Sequence, residues 1–222
     1  MKYEMFGIVL FAFTSAPLAQ TNERYTVVVS EIANMLTQPP APEGTYNRFL
    51  STLDNIEVVF MPPARVAIEF PKNYLNCIFP ASTETMPNKQ LLLESSPLEV
   101  AYAYLFTLEE QRRDELNANS KIAIRRGFTY GGIRRSLSAN YIELDDDATV
   151  LQFLNLKRVD AVISYLADIQ GAAENLKFPM PHFQKYTPIY AAREAFVCHD
   201  NSRNKIFIEQ VNDAIQKWKA RY

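Results

Sequence analysis

The sequence predicts an α/β protein of two lobes, each built on a parallel-type sheet, with a hinge and a cleft between them. Three observations carry that prediction. Short β-branched runs alternate with amphipathic helical stretches, the order that parallel sheets produce. The alternation occurs twice, from "RYTVVVSEI" to "YLNCIFPAST" and again from "KIAIRRG" to "DAVISYL". Two connecting segments, the polar "EEQRRDELNANS" and the proline-rich "PMPHFQKYTPIY", separate the second series from the rest of the chain. At 222 residues, 48% of them hydrophobic and 22% charged, the chain can build one large core or two small ones.

In the first series, "RYTVVVSEI" reads as a strand, ended by the prolines and glycine of "TQPPAPEG". "TYNRFLSTL" is a short helix and "NIEVVFMP" a second strand. "PARVAIEF" starts a helix with proline at its head, where a missing N–H is harmless. "YLNCIFPAST" is the third strand, and the unit ends near Thr85. "KQLLLESSPLEVAYAYLFTLEE" is apolar and β-prone and leads into the polar crossing. The second series runs "KIAIRRG" strand, a helix through "YGGIRRSL", "NYIELD" strand, "DATVLQFLNLK" helix and "DAVISYL" strand. After the second linker come a strand, "EAFVCHD", and a closing amphipathic helix over about 202–220. Lobe one is expected at 24–106 with 190–222, and lobe two at 107–189.

A net charge of −2 and no concentrated Lys or Arg argue against nucleic acid as a partner. The start of the chain has Lys2, an apolar run from Met5 to Phe13 and small residues ending at Ala19, the pattern of a secretory signal peptide over 1–19. The run is too short for the ~20 residues of a spanning helix. Cleavage after Ala19 would place the mature protein in an oxidising space, the bacterial periplasm. There Cys77 and Cys198, both in strand-like runs, form either a disulfide or a free buried pair.

Motifs for catalysis or a cofactor are missing: the chain has no GxSxG, HExxH, Walker loop or GxGxxG. The reading is therefore a non-enzyme that needs no cofactor or metal. His182 and His199 have no ligating partner at suitable spacing and read as surface residues. The carboxylates of "LDDDAT" lack a Ca²⁺ loop, and Asp146 or Asp147 as helix N-cap explains them. In "RRGFTYGG", Gly127 turns the chain and Thr129 and Tyr130 open the next segment. Exposed N–H groups there could receive a carboxylate, or the stretch is a plain capped turn.

The ordered set "ESSPLEVAYAYLF", "KIAIRRGFTYG", "LNLKRVDAVIS" and "VNDAIQKWKARY" resembles the type II periplasmic solute-binding proteins, especially the extracellular domain 3 family that serves polar amino-acid uptake. The resemblance spans nearly all of the mature chain. It implies a monomer that closes on a small-molecule ligand and docks on a membrane permease or a sensor receptor. It makes Asp160, between a basic turn and a strand, a structural brace, and places the ligand-facing position near Ser164 and Tyr165.

Two departures stand out. The family's Thr-x-x-Arg grip on an α-carboxylate is replaced by "TMPNKQLLLESSP", where Lys89 is the only cation. Tyr165 stands where the family has an Asp for the α-amino group. Arg65 at a helix start could replace the lost arginine, or it is an ordinary surface residue. The ligand expected from this reading is polar, anionic or aromatic, held by Arg65, Thr83, Lys89 and Ser96 of lobe one and Thr129, Tyr130 and Tyr165 of lobe two.

Overall fold

The structure is a computed structural model that describes residues 24–74, 76–110 and 115–221. The predicted leader, 1–19, lies outside the described residues. Three parallel strands, β1 (Tyr25–Val29), β2 (Ile56–Phe60) and β3 (Cys77–Ala81), begin the first lobe in the spatial order β2-β1-β3. Their connections are α1 (Thr45–Leu50) and α2 (Pro63–Glu69), the latter with proline at its first turn as the sequence predicts. A short β4 (Leu92–Glu94) follows, and then the nine-residue β5 (Glu99–Thr107) leaves the lobe.

The second lobe holds β6 (Lys121–Arg125), β7 (Asn140–Leu144) and β8 (Ala161–Tyr165), with β6 parallel to both neighbours. Two helices pack on this sheet, α3 (Asp147–Asn155) and α4 (Leu166–Leu176). The chain returns through β9 (His182–Phe183) and β10 (Tyr190–His199), then closes with α5 (Ser202–Lys219).

Each lobe carries a parallel-type sheet, as the sequence predicts, and antiparallel strands join the two. β10 runs antiparallel to β3 at one end and to β5 at the other, and β5 runs antiparallel to β8. The result is one continuous path, β2-β1-β3-β10-β5-β8-β6-β7, whose middle strands β5 and β10 join the lobes. Chain that must cross back between two parallel units arrives in the opposite sense, so the antiparallel pairings fall at the crossings.

Each lobe has its own core. In lobe one, Phe79 and Phe196 stack at 4.3 Å and Phe49, Phe207 and Val211 close around them. In lobe two, Phe106, Val162 and Leu151 fill one face of the sheet, and Ile122, Ile124 and Ile163 the other. Each such side chain contributes roughly 1.5–3 kcal/mol on burial. Strands buried on both faces give the continuous "DAVIS" run rather than an alternating one.

Cys77 and Cys198 form a disulfide between register partners on β3 and β10, which decides between the two sequence readings. Asp146 is the N-cap of α3, accepting from the Thr149 N–H at 2.7 Å. Asp147 turns inward instead. Asp160 braces the entry to β8, accepting from the Lys121 N–H at 2.7 Å.

Three local expectations need correction. The helix expected through "YGGIRRSL" is a 3-10 segment over Tyr130–Arg135, broken because Gly131 and Gly132 both take positive φ. His199 is buried, not on the surface: its Nε2 is 2.8 Å from the Phe70 carbonyl and its ring stacks on Phe70. Finally, α4 had no counterpart in the sequence reading. Among the described residues, no helix is long and apolar enough to cross a membrane.

Candidate functional site: the interlobe cleft

A cleft of about 660 Å³ lies between the lobes, within the size range of small-ligand sites. One wall comes from the carboxyl ends of β1 and β3, at Ser30 and Pro80–Ser82, together with α2. The facing wall comes from the segment after β6, at Gly127–Thr129, and from the end of β8 with the first turn of α4, at Tyr165–Asp168. Strands end here because their carboxyl ends and the following helix starts leave backbone groups available. The base is formed by the crossing strands, at Glu99–Tyr102 and at Tyr190 with Ala192–Glu194.

The walls are mostly apolar and aromatic. Phe128 and Tyr165 stand edge to face at 5.9 Å, and Tyr165 leans on Tyr130 at 5.2 Å. Phe79, Tyr74, Tyr102 and Tyr190 add rings from lobe one and the base. Such surfaces favour a ligand with a flat or apolar body.

The lobes touch at the sides of the cleft. Arg125 of lobe two donates to the Glu31 carbonyl of lobe one at 3.2 Å, and Asn34 donates to Glu174 at 2.9 Å. A Cβ on Gly171 would lie 2.5 Å from the Ala33 Cβ, and one on Gly127 would lie 2.5 Å from the Ala64 nitrogen. Only glycine allows these close approaches.

Behind the lobe-two wall lies a buried polar network. Arg125 pairs with Asp147 at 3.0 Å, and Ser164 donates to Asp147 at 2.7 Å. Burial pushes the Asp147 carboxyl up, against the pull of Arg125. Asp168, in the first turn of α4, is 3% exposed and its Oδ1 has no hydrogen bond. Burial and then the nearby Asp147 push its carboxyl well above the usual range. On the hinge strands, burial pushes Glu194 up to about 7.

Of the seven residues selected from sequence, Thr129 and Tyr165 line the cleft and the other five do not. Arg65 is exposed on the first turn of α2, outside the cleft wall. Thr83 gives both its N–H, at 2.9 Å, and its hydroxyl to Glu94. Lys89 is exposed on a 3-10 turn, Lys89–Leu91. Ser96 is exposed, and its N–H donates to Asn212 of α5 at 2.7 Å, so it fixes the closing helix. Tyr130 is buried behind the wall, 2% exposed. Ser164 is wholly buried and serves Asp147 rather than the cleft.

Asp168, Glu99 and Glu194 escaped the sequence reading. Their signals were present: carboxylates inside the strand-like "PLEVAYAYLF" and "AAREAFVCH", and an Asp before the apolar spacing Ile169, Ala172, Ala173, Leu176.

Two crossing strands, two α/β lobes and a cleft at the strand ends define the two-lobed fold of type II periplasmic binding proteins. Solved structures share it. The GluR0 ligand-binding core from Nostoc punctiforme, in complex with (L)-glutamate, superposes with a TM-score of 0.71 at 14% identity, over 89% of this chain and 93% of that one. The substrate binding protein of an amino acid ABC transporter gives 0.70 at 12% identity, over 88% and 94%. The ancestral amino acid-binding protein AncCDT-1, a precursor of cyclohexadienyl dehydratase, gives 0.65 at 13%, over 88% and 90%. No protein-family model and no curated protein matches the sequence.

Proposed function

We propose that the chain is an exported, monomeric solute-binding protein without enzymatic activity. It captures a small molecule with an aromatic or apolar body in the interlobe cleft, closes by hinge motion about β5 and β10, and delivers it to an ABC-type permease. The observation that carries this is the cleft itself, walled by aromatic side chains from both lobes and based on the two strands that join them. The lobe boundaries we assign are 24–106 with 190–222, and 107–189.

Neighbouring structures include the substrate binding protein of an amino acid ABC transporter and an ancestral amino acid-binding protein, which supports an amino acid or a close relative as ligand. Here Tyr165 takes the wall position, so ring stacking gains weight relative to the charge pairing of an ammonium by an aspartate. Arg65 off the wall leaves the anionic reading without its residue. Export to the periplasm rests on the leader at 1–19.

A sensory or interaction module of the same fold is the second reading, supported by the likeness to the GluR0 ligand-binding core. A thermal-shift screen of amino acids, organic acids and aromatic amines on the mature protein tests ligand capture, because a ligand of the folded state alone raises the melting point. Loss of uptake of the hit compound on gene deletion supports transport; unchanged uptake supports the sensory reading.

A further inference from the structure

Glu99 and Glu194 are register partners on β5 and β10, and both line the base of the cleft. Like charges directly opposite one another across two strands destabilise the pairing. The Tyr46 hydroxyl, reaching in from α1, is hydrogen-bonded to Glu194 and lies 3.3 Å from Glu99. One hydroxyl proton is thus placed between two carboxylates. Among the described residues neither carboxylate has an ion pair. Arg193, next along β10 and also at the cleft base, is held by Glu94 at 3.4 Å rather than by either of these carboxylates.

A second observation comes from the other lobe. Asp168 lines the same cleft, is more than nine-tenths buried, and keeps Oδ1 without a hydrogen bond. It is close enough to Glu194 for their charges to act on each other. The cation behind it, Arg125, is already engaged by Asp147 and the Glu31 carbonyl. Among the described residues no three His, Cys, Asp or Glu side chains converge as metal ligands do.

We propose that Glu99, Glu194 and Asp168, with Tyr46, form a subsite for an organic cation, so that the ligand carries a protonated amine at the cleft base and lays its apolar or aromatic body against Phe128 and Tyr165. The inference rests on the cleft being the ligand site. An ammonium donates up to three hydrogen bonds, suited to several carboxylate oxygens on both lobes, and its charge relieves the repulsion across β5 and β10. A cation touching both the hinge strands and α4 is bound most tightly when the lobes are together, which couples recognition to closure.

The groups facing Glu194 are Tyr46 from α1, Glu99 from β5, Tyr165 at the end of β8 and Asp168 from α4. With burial holding the Glu194 proton to about pH 7, the subsite gains negative charge between pH 5.5 and pH 8. An alkylamine remains protonated throughout that range, so any change in its binding reports on the protein.

The test is calorimetric titration of 2-phenylethylamine, 3-phenylpropionate and L-phenylalanine into the full mature chain at pH 5.5 and pH 8. The amine is expected to bind at least tenfold tighter than 3-phenylpropionate at pH 8, and several-fold more weakly at pH 5.5. Glu194→Gln should remove most of that pH dependence. Glu99→Gln, at an exposed side chain that tolerates change, should weaken the amine about tenfold at pH 8 and leave the fold intact by circular dichroism. Tighter binding of the propionate, or amine binding unchanged in Glu99→Gln, overturns the cation subsite while leaving the cleft as a ligand site. Absence of heat from all three probes at millimolar concentration overturns the subsite, and a thermal-shift screen without any hit extends the failure to the solute-binding reading.

Discussion

Asp160 and Lys121 are joined by two hydrogen bonds: the Lys121 N–H donates to the Asp160 carboxylate at 2.7 Å, and the Asp160 N–H donates to the Lys121 carbonyl at 2.9 Å. The pair fastens the turn after α3 to the first residue of β6. A helix can therefore hand over to a buried strand within five residues, Leu156 to Asp160. The expected consequence is local. Asp160→Ala should lower stability by about 1 kcal/mol, the worth of one such bond, measured by urea unfolding. Affinity for the cleft ligand should not change.

The disulfide between Cys77 and Cys198 closes a loop with a sequence separation of 121 and ties the last strand of the first series to the returning β10. Constraint of the unfolded chain by so long a loop stabilises by roughly 2–5 kcal/mol. The Cys77→Ser, Cys198→Ser double variant should unfold at lower denaturant by that margin, and reductant should shift wild type toward it without affecting the variant.

Glu194 supplies a pH dependence with a definite sign. Its folded pKa is raised, mainly by burial, to about 7, above the ordinary glutamate value. The folded state therefore holds a proton that the unfolded state has released between those two values. Its favourable contribution is complete below the unfolded pKa and is lost as pH rises through about 7. The loss is on the order of 3 kcal/mol. Thermal unfolding from pH 4.5 to pH 8 should show wild type falling relative to Glu194→Gln across this window, with the two closest at its acid end.

Gly171 tests closure without backbone strain, since it lies inside α4. Alanine there suits the helix better by about 1 kcal/mol, yet its Cβ would meet the Ala33 Cβ at 2.5 Å across the lobe seam. Gly171→Ala should keep the fold while weakening the cleft ligand by roughly tenfold, because the lobes are held apart. Titration calorimetry paired with circular dichroism separates the two effects.

Most strands and helices could be read from sequence because their signals are local. The run "YTVVV" and the capped, amphipathic stretch from Ser202 fix β1 and α5 on their own. The crossing of β5 and β10 depends instead on pairings between residues such as Ala103 and Tyr190, far apart in the chain. No local pattern encodes the sense of such a pairing. The same reason limited the site. Thr129 and Tyr165 follow strand ends and were found, whereas Glu99 and Glu194 become neighbours only when the two hinge strands pair. Arg65 has the place at a helix start that an anion grip would take, but the first turn of α2 presents it to solvent. α4 gives a weak local signal because its small residues, Ala167, Gly171, Ala172 and Ala173, blunt the apolar stripe that normally announces a helix.

The central claim is that the aromatic-walled cleft is where a small molecule binds. Calorimetric titration of the compound that most raises the melting point, into wild type and Tyr165→Ala, tests it most directly. Wild type should show one site per chain, and Tyr165→Ala a loss of about 0.5–1.5 kcal/mol, the scale of a lost ring contact. Equal affinity in the two proteins would place the binding elsewhere and contradict the account.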